Sequence, residues 1–205
     1  MPSRNSTKTL AEGHYYHVYN RGASKQAIFR DENDYTYFLY LLKRHLGTEE
    51  ARDKYERPYR HLRSQVDLLC YCLMPNHFHL LLLNKEPTGI EQLLRSVSTA
   101  YSMYFNRKYQ HSGHVFQGIY KASMIDHDAY LQHISRYILR NPDQYKSYSF
   151  SSYTALAQEW SVDWLSTDEL LQTFEGTKKN FLQFIDDYED YKNTLDDIEY
   201  ELADR

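Results

Sequence analysis

No apolar run in these 205 residues approaches the ~20 needed to span a bilayer, and Met1 to Leu10 lack the hydrophobic block of a secretory leader. These absences argue against a membrane or secreted protein, so the expected location is cytoplasmic. Only two cysteines occur, Cys70 and Cys72. Two residues apart on a strand they point in parallel and are poorly placed to bridge, so they read as buried thiols, with a Cys-His zinc site as the weaker alternative. There is no internal repeat and no low-complexity segment. Positive charge is scarce at one end. Residues 148–205 hold 4 Lys+Arg against 14 Asp+Glu, whereas residues 1–147 hold 20 against 14, a net of −10 against +6. All ten histidines also lie in the first part. The overall charge of −4 therefore conceals a basic body, suited to a polyanion, and an acidic extension. We accordingly divide the chain into a domain over 1–147 and a mostly helical extension over 148–205.

The stretch that organises the body is Met74-Pro75-Asn76-His77-Phe78-His79, which runs into four leucines. Side chains alternate along a strand, so His77 and His79 share one face and can close on one metal ion, while Phe78 points to the core. A polar pair opening an apolar strand calls for a reason to be there. Around it the periodicities predict a strand over 14–20, a helix over 35–46 and a basic connection over 47–63, with room for a short helix. A hairpin of strands follows over 66–73 and 77–83, then a helix over 90–109, a strand over 121–126 and a helix from Asp126 or Asp128 to about Asn141. Pro142 disfavours helical geometry at Asn141. This order resembles an α+β, ferredoxin-like split arrangement: an antiparallel sheet with helices packed on one face. In the extension, Ser166-x-x-Glu169 reads as a helix start. A last helix is expected from Asn180 to about Tyr191, and a frayed or helical end over Thr194 to Arg205.

Tyr137 and Asn141 are four residues apart and share a helix face. If that helix packs beside the third strand, two imidazoles, an amide oxygen and a phenol meet. A tyrosine hydroxyl ordinarily ionises near pH 10 and is a poor nucleophile at neutrality. A metal ion that polarises a phosphodiester offsets that weakness. Mg²⁺ prefers oxygen ligands and imidazole suits Mn²⁺. Candidate phosphate contacts are Arg21, Arg107, Lys108, Lys121, Arg136 and Arg140, with further cations between Lys43 and Arg63. Tyr19, Tyr104, Phe116 and Tyr120 are candidates for stacking on unpaired bases.

Pro75-Asn76-His77-Phe78-His79-Leu80 resembles the His-hydrophobe-His motif of HUH endonucleases, and Arg136-Tyr137-Ile138-Leu139-Arg140-Asn141-Pro142 resembles their tyrosine helix. Tyr16-His17-Val18-Tyr19-Asn20-Arg21-Gly22, Tyr104-Phe105-Asn106-Arg107 and Ser112-Gly113-His114-Val115-Phe116-Gln117-Gly118 are similar to signatures of one branch, the REP-associated tyrosine transposases. The resemblance covers roughly residues 14 to 170. It implies the HUH nuclease fold and a metal-dependent endonuclease or transposase for single-stranded DNA at hairpin sites in palindromic repeats. Tyr137 would form a 5′-phosphotyrosine link, and His77, His79 and Asn141 would hold Mg²⁺ or Mn²⁺. Asn141 agrees with the REP-associated branch, where the insertion-sequence relatives have Gln. The expected state is a monomer, and no membrane partner is expected. A second reading is a domesticated, non-catalytic DNA-binding regulator on the same fold. A third, a nucleotide hydrolase with three alternating histidines, meets Leu81 where the third histidine would stand.

Overall fold

The computed structural model describes residues 10–157 and 162–187. The chain runs β1 (His14–Arg21), a 3-10 turn at Ala23–Lys25, α1 (Glu32–Leu46), β2 (Val66–Met74), β3 (His77–Asn84), α2 (Gly89–Tyr109), β4 (Lys121–Ile125) and α3 (Asp128–Leu139). Three short helices follow: α4 (Tyr153–Ala157), α5 (Thr167–Gln172) and α6 (Lys178–Asp186). The strands form one sheet in the order β2-β3-β1-β4, every neighbouring pair antiparallel. The expected element order and α+β class are therefore present. The last helix ends at Asp186 rather than near Tyr191, and the frayed or helical end expected over Thr194 to Arg205 lies outside the described residues. The connection over 47–63 holds an isolated antiparallel bridge, Arg52 to Pro58, and no short helix.

Helices cover both faces of the sheet. On one, Val18, Leu68, Leu73, Phe78, Leu80 and Leu82 pack against α1 and α2. On the other, Cys70, Cys72, Leu81 and Ile125 pack against Leu131, Ile134, Tyr137 and Ile138 of α3, together with Leu156, Leu170, Phe181 and Ile185 from the extension. The helices are expected on one face of the sheet; α1 and α2 share a face, whereas α3 lies on the opposite one. Period-2 alternation on β3 explains the split, since Phe78, Leu80 and Leu82 face one way and His77, His79 and Leu81 the other. Buried Cys70 and Cys72 are free, and desolvation pushes the Cys72 thiol up to about 12. Both behave as core residues, as the spacing suggests.

α1 opens with a capping box in which the Asp31 side chain accepts from the Asp34 amide and Asp34 accepts in return. Asp34 has no exposed side chain and also takes hydrogen bonds from Tyr109 Oη at 2.7 Å and Lys108 Nζ at 2.7 Å. Burial works to raise the Asp34 carboxyl, but these donors hold it below its ordinary range. Lys108, expected to meet phosphate, instead commits its ammonium to Asp31 and Asp34, tying α2 to the start of α1.

The extension is joined to the body by backbone. Residues 150–152 run along the outer edge of β2, with Leu73 N–H donating to Phe150 O at 2.9 Å and Ser152 N–H to Tyr71 O at 3.0 Å. Ser166 N–H donates to Leu68 O at 2.8 Å. An edge strand is thereby covered, and the division after residue 147 falls inside a shared core. Among the described residues no helix is long and apolar enough to cross a membrane.

Candidate active site

Cross-strand register places the site. His79 pairs with Tyr19 of β1 and Cys72 of β2, and His77 pairs with Arg21 and Met74, so this row faces α3. Above it, α3 presents Tyr137, and Asn141 follows two residues after the helix ends. A cleft of about 740 Å³ opens there, lined by His77, His79, Tyr137, Asn141, Tyr19, Asn20, Arg21, Lys25, Asn76, Gln117, Gly118, Ile119 and Lys121. Three lining residues are cations and none is an acid.

Each candidate ligand is held by a neighbour. His77 Nδ1 lies 2.6 Å from Asn76 Oδ1, and its Nε2 lies 3.2 Å from Asn141 Oδ1. Both partners are amide oxygens, which only accept, and a neutral imidazole carries one proton; the shorter contact, to Asn76, assigns it to Nδ1 and leaves the Nε2 lone pair toward Asn141. Nε2 and Asn141 Oδ1 are then two lone-pair donors facing each other at 3.2 Å. Two ligands of an octahedral Mg²⁺ about 2.1 Å from the metal lie about 3 Å apart, so the pair fits a small divalent cation between them. His79 Nδ1 is 2.8 Å from His17 Nε2, and its other ring nitrogen, Nε2, is the third candidate donor. Burial, and then the proximity of His77, pushes His17 down to about 3. Burial, with His17 and His77 adding, holds His79 well below its ordinary value. Both rings are therefore neutral at pH 7, the state that metal ligation requires. Among the described residues no three His, Cys, Asp or Glu side chains form a metal-binding group; beside His77 and His79 the candidate donor is the amide of Asn141.

The Tyr137 ring meets His79 edge-on with centroids 5.5 Å apart, and His17 at 6.0 Å. Tyr137 is 6% exposed, so the phenol lies at the floor of the cleft. The structure thus brings His77, His79, Tyr137 and Asn141 to one place, and Arg21 and Lys121 to its wall. It gives the other candidates different surroundings. Arg107 is exposed on α2 and does not line the cleft. Arg136 is fully buried, donates to Phe184 O at 3.2 Å and lies 4.0 Å over the Phe184 ring. Arg140 donates to Ile185 O at 2.9 Å. Both arginines thus satisfy carbonyls at the C-terminal end of α6, which no intrahelical amide reaches, and they bind α3 to the extension instead of facing the cleft. Tyr19, Tyr104, Phe116 and Tyr120 are packed: Tyr19 stacks on His17 at 5.0 Å and Tyr104 on Tyr37 at 4.1 Å, and Phe116 and Tyr120 are buried.

Sequence reasoning missed His17, Asn76, Gln117 and Ile119. The signal for His17 was present, since it lies two residues before Tyr19 on the same strand face. Gln117 accepts from Arg21 Nε and aims that guanidinium. Ile119, 74% exposed, stands at the rim between this cleft and a second of about 520 Å³.

The loop after β1 braces this floor. Gly22 N–H donates to Asn76 O at 2.8 Å, and both Ile28 and Phe29 N–H donate to Pro75 O. A Cβ on Gly22 would come within 2.1 Å of the Gln26 carbonyl oxygen. Gly22→Ala is expected to cost about 1–3 kcal/mol, lowering the thermal midpoint by several degrees. An unchanged midpoint would show that the loop yields freely.

Comparison with known proteins first places the chain among transposases: residues 11–141 match the family model described as "Transposase IS200 like". The chain belongs to the IS200-like transposase family. No curated protein matches the sequence. Among solved structures it is similar to a REP-associated tyrosine transposase bound to a REP hairpin, with a TM-score of 0.52 and 14% identity over 80% of this chain and 92% of that one. A putative transposase from Deinococcus radiodurans R1 matches with a TM-score of 0.40 and 16% identity over 67% and 95% of the two chains. The first likeness extends to the fold. Family membership makes the chain an enzyme of the DNA-cleaving and strand-transferring kind.

Proposed function

We propose that the protein is a metal-dependent endonuclease and strand-transferase for single-stranded DNA, acting beside hairpins of palindromic repeats through Tyr137. The observation that carries the reading is the convergence of His77 Nε2 and Asn141 Oδ1 at 3.2 Å with the Tyr137 ring 5.5 Å from His79, in one cleft. His77, His79 and Asn141 would hold Mg²⁺ or Mn²⁺, which when bound supplies Lewis-acid polarisation of the scissile phosphate and stabilises the leaving oxygen. Arg21, Lys25 and Lys121 line a cleft with no carboxylate, which suits a phosphate backbone. Tyr137 Oη forms a bond to phosphorus while the bond to the 3′ oxygen breaks. The phenol proton ends, in net, on that oxygen, leaving a 5′-phosphotyrosine and a 3′-OH. The reverse reaction rejoins strands. Hairpin DNA is drawn from the REP hairpin named for the similar structure, and from the motif likeness to the REP-associated branch.

His77→Ala or His79→Ala should lower cleavage of a single-stranded hairpin on the order of 1000-fold, the several kcal/mol that a Lewis acid contributes. Wild type without divalent metal should fall equally. Full cleavage by either variant would remove the metal assignment.

The site is proposed to act in cis in a monomer. α3 is held between the sheet and α6, with Arg136 and Arg140 bound to α6 carbonyls, which opposes exchange of the tyrosine helix between copies. A mixture of Tyr137→Phe and His77→Ala chains should show no cleavage above either alone; restored cleavage would establish a shared site.

A further inference from the structure

Beside the proposed ligands stands an imidazole that the reading above does not use. His17 is fully buried on β1. Its Nε2 lies 2.8 Å from His79 Nδ1, with the rings 15° from parallel and their centroids 5.0 Å apart. That spacing is an edge-to-edge hydrogen bond lying near both ring planes. Its Nδ1 is buried with no hydrogen-bond partner among the described residues, so its polar contact is with His79. Burying an imidazole with one unsatisfied nitrogen is costly where an apolar side chain would pack as well.

Two neutral imidazoles share this bond, and one must donate. If His79 donates from Nδ1, its Nε2 carries the lone pair and can ligate a cation. If His17 donates from Nε2, the His79 proton sits on Nε2 and ligation is blocked. Asn76 does the corresponding service for His77, accepting at Nδ1. Metal-bound histidines are commonly oriented in this way by an acceptor on the other ring nitrogen.

We propose that His17 is a positioning residue that accepts the Nδ1 proton of His79, and so holds the His79 Nε2 lone pair for the divalent cation. The inference rests on the metal-dependent reading of the site. It assigns His17 no contact with DNA or metal. The His17 proton then resides on Nδ1, which meets no acceptor among the described residues.

The test uses the full chain and Mn²⁺ alone, without DNA. Gln can place an amide oxygen near the position of the imidazole Nε2 and accept there, whereas Phe fills the space without an acceptor. His17→Gln should bind Mn²⁺ within about threefold of wild type, and His17→Phe should bind 10–100-fold more weakly, the usual loss on removing such a partner. Thermal melts of each variant report folding separately. A purely packing role would leave Phe as good as Gln, or better, and that result overturns the proposal. Should His17→Phe not fold, nitrogen-15 NMR of the wild-type rings in saturating Mg²⁺ decides. Protons on Nδ1 of both His17 and His79 are expected; a proton on His17 Nε2 overturns the assignment. Failure of wild type to bind Mn²⁺ is a different result. It removes the metal reading, and this inference with it.

Discussion

Tyr137→Phe should bind hairpin DNA and Mn²⁺ as wild type does and form no covalent adduct at all. The substitution removes one oxygen from a ring whose edge-on packing against His79 and His17 is otherwise retained. The folding cost should stay near the ~1 kcal/mol of a single hydrogen bond. Without Oη, Tyr19 is the one hydroxyl left among the described residues that line the cleft. Tyr19, however, belongs to the sheet and stacks flat on His17. Tyr130, two turns earlier on α3, lies ~10 Å away along the helix axis and stacks on His127. The measurement is a protein–DNA band that resists denaturant after incubation with a single-stranded hairpin and metal. A band from Tyr137→Phe, or peptide mapping of the DNA to another tyrosine, would refute the assignment. A wild-type chain that binds the hairpin and never forms the band would support the regulator reading instead.

A chain ended after residue 147 should fail to fold, although the charge distribution alone suggests that it would bind DNA at least as well as the whole. The cut removes Tyr153, Leu156, Leu170, Phe174, Phe181 and Ile185, all buried in the core that α3 shares. At ~1.5–3 kcal/mol for each buried side chain, the loss is on the order of 10 kcal/mol, comparable with the whole stability of a typical domain. It also strips the cover from β2 and leaves Arg136 and Arg140 without the α6 carbonyls they satisfy. Insolubility, or loss of a cooperative thermal transition, is the expected outcome. A chain ended after Asp187 keeps every one of these contacts and should melt cooperatively. A soluble, cooperatively melting chain of residues 1–147 would restore the view of the extension as an independent appendage.

The same comparison shows where charge and spacing mislead. Lys108, Arg136 and Arg140 read as phosphate contacts because a cation on a helix looks alike whether its partner is solvent, DNA or another part of the chain. Their partners, Asp34 and the carbonyls of Phe184 and Ile185, lie 74, 48 and 45 residues away, and no local pattern reports them. The acidic extension likewise reads as detached, because net charge says nothing of the apolar residues between the acids.

What the sequence by itself determined is what repeats within one element. The two-residue period of a strand put His77 and His79 on one face and Phe78 on the other. The four-residue spacing pointed to Tyr137 and Asn141 together; both line the cleft, although Asn141 lies two residues past the end of the helix. The order of strands and helices followed from the same periodicities. Tertiary structure alone decided that α3 lies over the histidine face and not beside α1 and α2. It decided that β1 joins the sheet next to β3, which carries His17 to within 2.8 Å of His79. It also decided that the extension completes the core under Tyr137. The physical reason is that periodicity is set by backbone geometry within a few residues. Which face meets which is settled by register, by sheet order and by burial shared among segments far apart in the chain.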